Sequence, residues 1–138
     1  MTTLLGSKKI KPNNLNPISL AYLGDAVYET LVREHLTLEG DRPPEQLHRL
    51  AINFVSANAQ SVAAEKIIPI LTDEELTAYK RGRNAKVSHI PKGASVAQYH
   101  SATGFEALFG YLYLTEQNER MRELFRIICE GENFEQKY

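Results

Sequence analysis

One cysteine, no tryptophan and two methionines stand among 138 residues. Cys129 alone cannot close an intramolecular disulfide, and no paired Cys/His spacing suits structural zinc. A disulfide scaffold and a zinc module are therefore excluded, and a reducing cytoplasm is the expected setting. No apolar run approaches the roughly 20 residues of a membrane-spanning helix. Only Leu4 and Leu5 precede Lys8, Lys9 and Lys11, so neither secretion nor membrane association is expected. Period-two alternation bounded by hairpin turns is also missing, which argues against β structure. Excess charge of either sign is absent too. Sixteen Lys and Arg oppose 17 Asp and Glu for a net charge of −1, so any polyanion site must come from local clustering.

What is present, 43% apolar and 24% charged residues, fits one folded domain over residues 1–138, with 1–15 a flexible N-terminal segment and 132–138 a tail. The pattern is helical almost throughout. Asn16-Pro17 pairs an N-cap with a first-turn proline and starts a helix running to about Leu38. A second start at Asp41 to Pro44 leads into Leu47, Leu50, Ala51, Phe54, Val55, Asn58 and Val62 at helical spacing, and Pro69 ends that helix. Thr72 and Glu75 form a capping box for a short third helix, for which Gly82 is the stop signal. Helical spacing resumes from about Ala94 to Thr115 and again from Asn118 to about Glu130.

Positive charge is segregated. Lys80, Arg81, Arg83, Lys86, His89 and Lys92 lie in a stretch without an acid, which reads as a basic loop able to contact phosphates. Two carboxylates occupy apolar helices. On the first helix Leu20, Leu23, Val27 and Leu31 form one stripe and Ile18, Ala21, Val32 and Leu36 another, with Asp25 within the second. A helix apolar on two sides packs on two sides, so Asp25 should be partly desolvated. Glu106 shares its face with Tyr99, Ala102, Phe109 and Tyr113, while Leu108, Tyr111 and Leu112 cover the other side. Gly24 precedes Asp25, and Gly104 and Gly110 flank Glu106. Helices crossing at these glycines would bring the two acids together. Such a pair calls for a raised pKa, an arginine partner such as Arg33, Arg49 or Arg122, or a divalent cation. Oxygen ligands suit Mg²⁺ or Mn²⁺.

The residues Leu20-Ala21-Tyr22-Leu23-Gly24-Asp25-Ala26-Val27 resemble the signature helix of the ribonuclease III endonuclease domain. The run Phe105-Glu106-Ala107-Leu108-Phe109-Gly110-Tyr111-Leu112 resembles its second acidic helix. The similarity spans nearly the whole chain and leaves nothing for a double-stranded-RNA-binding domain. With Asn-Pro ahead of the signature and R-G-R-N-A-K in the basic stretch, the chain is similar to the Mini-ribonuclease III group. The resemblance implies an all-α homodimer whose signature helices line a valley for double-stranded RNA. It also implies Asp25 and Glu106 as catalytic metal ligands, metal-activated hydrolysis to 5′-phosphate and 3′-hydroxyl ends, and a large-subunit (23S) ribosomal RNA precursor as substrate, with a ribosomal protein as a possible helper. Two further family acids are replaced, by Ala21 and Thr103, which leaves room for an inert RNA-binding or ribosome-associated scaffold as the alternative.

Other signals have blander readings. Glu45 and His48 have the spacing of a carboxylate-bridged iron site but lack its second copy. His35, His89 and His100 lack metal spacing. Tyr22 and Tyr28 flank the acidic position and are candidates to line the valley. Asn53, Ser56, Asn58 and Ser61 read first as a solvated face and only second as an RNA contact.

Overall fold

In the computed structural model, residues 3–6, 11–86, 89, 90, 92 and 95–130 are described, and among them there are six α-helices and no strand. They are α1 (Pro17–Glu39), α2 (Pro44–Val55), α3 (Ala57–Ile67), α4 (Asp73–Arg83), α5 (Val96–Leu114) and α6 (Asn118–Cys129). The caps are local chemistry. The Asn16 side chain accepts from the Ile18 N–H at 2.8 Å ahead of Pro17. Thr72 and Glu75 cap each other at the start of α4, and Ser95 and Gln98 do the same for α5.

Two expectations are corrected here. The single helix expected between Pro44 and Pro69 is two, because Ser56 turns extended (φ −65°, ψ 157°) and its hydroxyl accepts from the Ala59 N–H at 3.2 Å. A serine that supplies its own cap favours ending one helix and opening the next. Gly82 does not stop α4 either. It is buried where α4 presses on α5, and a Cβ there would lie 2.6 Å from the Ala107 Cβ and 2.9 Å from the Gly104 Cα. Lys80, Arg81 and Arg83 therefore stand on the last turn of a helix rather than in a loop. Residues 87, 88 and 91 of the basic stretch, Lys8 and Lys9, and the tail 132–138 lie outside the described residues.

The core is built around α5, which packs against α1, α3, α4 and α6. From Ala102 to Gly110 every residue of α5 is buried except Glu106. Its ring pair Phe105 and Phe109 holds Tyr28 of α1 edge-on, with centroids 4.7 and 5.1 Å away. Such pairs add about 0.5–1.5 kcal/mol beyond the area they bury. Tyr28 is thus a core residue, fully buried, and does not line a valley, whereas Tyr22 is 84% exposed. The two apolar stripes expected on α1 are in fact one broad buried face, Leu20, Ala21, Gly24, Tyr28, Val32 and Leu36, flanked by half-buried Leu23, Val27 and Leu31. Ile18 is exposed, and so is Asp25, which the stripe reading had placed in a desolvated position. The reason is angular. Contact with α5 centres on Gly24, and the next residue is turned about 100° towards the edge of the interface.

Candidate functional site

The crossing of α1 and α5 decides the site. Gly24 sits against the α5 backbone so closely that a Cβ there would overlap the Glu106 carbonyl and come within 2.7 Å of the Gly110 nitrogen. A Cβ on Gly110 would in turn overlap the Leu20 carbonyl. Two glycines facing one another thus replace side-chain packing with backbone contact, and their acidic neighbours are drawn to one place. Asp25 and Glu106 line a common cavity of about 520 Å³ with Asn58, Gln60, Gln98 and Thr103, and Lys92 stands at its edge.

Glu106 is half-buried, and its pKa is pushed up to about 8. Burial contributes most, followed by the charge of Asp25 and a hydrogen bond shared with it; the Gln60 amide pulls weakly the other way. Among the described residues no arginine contributes to the shift at Glu106. The salt-bridge alternative therefore fails for Arg33, which pairs with Glu29 one turn away on α1. Gln60 is 1% exposed, and although it lies close enough to act on Glu106, its Nε2 makes no hydrogen bond of normal geometry.

Part of the polar stretch at the α2–α3 break belongs to this cavity. Ser56 and Asn58 line it, and the Asn58 Oδ1 accepts from the Gln98 Nε2 at 2.9 Å, tying the start of α3 to the start of α5. Asn53 and Asn58 are exposed and Ser56 and Ser61 half-buried, in keeping with the solvated face that the run of Asn and Ser suggested. Gln60 was missed altogether, since one glutamine in an Ala-rich helix carries no motif.

The positions where family acids are replaced are filled differently. Ala21 is 6% exposed in a small cluster with Leu20 and Ala107. The Thr103 hydroxyl donates back to the Tyr99 carbonyl at 3.0 Å. Among the described residues no group of three or more His, Cys, Asp or Glu converges as a metal cage. Two carboxylates beside an open cavity suit a hard cation that keeps several waters and takes phosphate oxygens, as Mg²⁺ does, and do not suit an ion needing a full set of protein ligands.

Of the basic residues, Lys80, Lys86, His89 and Lys92 are exposed. The Arg83 guanidinium lies 5.6 Å from the Tyr79 ring centre and bonds the Asn84 side chain. Arg81 departs from the expectation of a phosphate contact. Its Nη2 donates to the Leu15 carbonyl at 2.8 Å, and its Nη1 is buried, so in this fold it ties α4 to the segment before α1.

The sequence profile of the Ribonuclease III domain matches residues 18–117. A Mini-ribonuclease 3 from Enterococcus faecalis is 49% identical over 112 residues, spanning 80% of this chain and 85% of its own length. One from Brevibacillus brevis is 47% identical over 125 residues, spanning 88% and 93%. A crystal structure of a protein from Fusobacterium nucleatum matches the fold with a TM-score of 0.79 at 32% identity, covering 91% of this chain and 99% of that one.

Proposed function

This chain belongs to the ribonuclease III domain family, an endoribonuclease family acting on double-stranded RNA, and from that premise we propose that it cuts duplex RNA at the Asp25–Glu106 cavity with a divalent cation. The observation that carries the assignment of the site is the acid pair itself: two carboxylates drawn together by a glycine crossing, beside a cavity, with no arginine among the described residues contributing to the shift at Glu106. A scaffold gains nothing from that arrangement, because burial and repulsion both oppose ionising Glu106.

Asp25 and Glu106 would hold Mg²⁺, or Mn²⁺, whose positive charge would polarise the scissile phosphodiester and make a water acidic enough to attack it. The chain's own part is to supply and orient the two carboxylates and to admit an RNA backbone into the cavity. Lys92 at the cavity edge, with Lys80, Lys86 and His89 on the same stretch and Arg83 beside Tyr79, would neutralise neighbouring phosphates. Recognition would follow duplex shape, since the A-form minor groove presents 2′-hydroxyls and phosphates rather than an easily read base code. Products would carry 5′-phosphate and 3′-hydroxyl ends.

Residues 1–138 would act as one domain in the cytoplasm; no helix among the described residues is long and apolar enough to cross a membrane. The substrate would be a large-subunit (23S) ribosomal RNA precursor, as the Mini-ribonuclease III resemblance implies, with room for a ribosomal protein as helper. Exposed Tyr22 and Ile18 on α1, one turn or two before Asp25, suit a homodimer in which two such helices meet and set two cavities along one duplex.

Ala21 and Thr103 are what favours an inert RNA-binding scaffold instead. Incubation with long duplex RNA, with Mg²⁺ and with chelator, decides between them. Cleavage with Mg²⁺ and none with chelator is expected, and Asp25→Asn or Glu106→Gln should lower the rate by about two orders of magnitude or more while leaving the helical spectrum unchanged. Wild-type turnover in either variant would remove that residue from the site.

A further inference from the structure

Three polar or charged side chains are buried in the described core: Glu75, Thr103 and Gln60. The first two are fully engaged. Glu75 receives Arg120 at 2.8 and 2.9 Å together with the Thr72 N–H, and Thr103 bonds the Tyr99 carbonyl. Gln60 is the exception. Its backbone is fixed in α3 by the bond from its N–H to the Ser56 carbonyl at 2.9 Å, its side chain is 1% exposed, and its Nε2 donates to nothing. The neighbouring buried positions of α3 are Ala63, Ala64 and Ile67, so an apolar residue would have filled this place without leaving a donor unsatisfied.

The place of that amide gives the reason for it. Gln60 lines the cavity of Asp25 and Glu106, and its side chain lies within hydrogen-bonding influence of the Glu106 carboxylate. We propose that Gln60 is a positioning residue: its Nε2 donates to the ionised Glu106 carboxylate and fixes the rotamer in which that carboxylate, together with Asp25, holds a divalent cation. The inference rests on the reading of the acid pair as the metal site. A carboxylate has about four lone-pair directions, and a cation occupies one or two, which leaves a side open for an N–H donor. The neutral amide suits the task for an electrostatic reason. An arginine or lysine in its place would neutralise the acid and compete with the cation, and an aliphatic side chain would leave the carboxylate free to rotate. Groups that orient a metal ligand in this way commonly account for about 10–100-fold in metal affinity.

The experiment is titration of the RNA-free protein with Mn²⁺ alone, followed by electron paramagnetic resonance of the free ion and by calorimetry, for the wild type, Gln60→Leu and Glu106→Gln. Gln60→Leu should bind Mn²⁺ about 10–100-fold more weakly. Its metal-free melting temperature should stay unchanged or rise, because an unsatisfied amide has been replaced by an apolar group of similar size. In RNA cleavage its half-saturating Mg²⁺ concentration should rise, with most of the wild-type rate recovered at high Mg²⁺. A purely structural role would give the opposite pattern: lowered stability and unchanged Mn²⁺ affinity. Wild-type Mn²⁺ affinity in Gln60→Leu alongside weakened affinity in Glu106→Gln would overturn this inference alone. Unchanged affinity in both variants, or no binding by the wild type, would overturn the metal-site reading and this inference with it. Should Gln60→Leu lose its helical spectrum, Gln60→Met carries the same comparison and decides by the same outcomes.

Discussion

Glu106 keeps its proton to about pH 8 because it is buried beside Asp25, whereas the same side chain in an unfolded chain ionises near 4.5. Between those two values the folded state binds more protons than the unfolded one, so the stability of the metal-free protein should fall as pH rises from about 4.5 to 8. Thermal melts in chelator across that range should show the decline, and Glu106→Gln should flatten it; an equally steep decline in the variant would place its origin elsewhere. Glu75 has the opposite balance. Burial pulls its pKa up, but the bonds from Arg120 and Thr72 outweigh burial and leave it below the ordinary carboxylate range. Arg120 grips both Glu75 oxygens and also bonds the Ile70 carbonyl and Glu123. Arg120→Met should therefore strand a charge that is almost wholly enclosed, at a cost of roughly 3–5 kcal/mol by urea denaturation. A loss below 1 kcal/mol would show that Glu75 simply takes up a proton at little expense.

Helices meet here through glycines, and the contact between α1 and α5 has no spare room. Gly24→Ala forces a methyl into the Glu106 carbonyl, which is backbone and cannot swing aside. The cost should exceed the roughly 1–3 kcal/mol of ordinary overpacking, and cleavage should be lost with it as Asp25 and Glu106 separate. Gly40 provides the contrast. Its φ of 173° is extended backbone open to any residue, and its nearest neighbour is the Arg42 guanidinium carbon at 4.0 Å. Gly40→Ala should be neutral or should stabilise by about 0.4–1 kcal/mol through the unfolded chain. Guanidine titrations of the two variants side by side test the claim, and equal losses would refute it.

At the scale of the molecule, the exposed side of α1 carries the largest exposed aromatic side chain beside the candidate site among the described residues. Tyr22, 84% exposed one turn before Asp25, is the aromatic residue expected to bury itself against a second copy. Tyr22→Arg should turn a dimer into a monomer at micromolar concentration by light scattering and should reduce double-strand cutting while leaving the melting transition of each chain cooperative. A monomeric wild type with full activity would contradict the dimer.

Helix type, the caps at Asn16 and Thr72, and the candidacy of Asp25 and Glu106 were legible in the residue order, because capping and amphipathic spacing act within a few residues of one another. Gly24 and Gly110 even announced the crossing, whereas Gly104, expected to share in it, meets Tyr79 of α4 instead. The break at Ser56, the helical state of Lys80 to Arg83, the capture of Arg81 by Leu15 and the placement of Gln60 were not legible in that way. Each depends on what another helix brings opposite, and a local pattern carries no record of that. Which side of α1 faced inward was settled by α5 seating itself on Gly24. That contact turned Asp25 towards the cavity edge and left Glu106 half-buried beside it, since these two backbones touch where neither Gly24 nor Gly110 carries a Cβ.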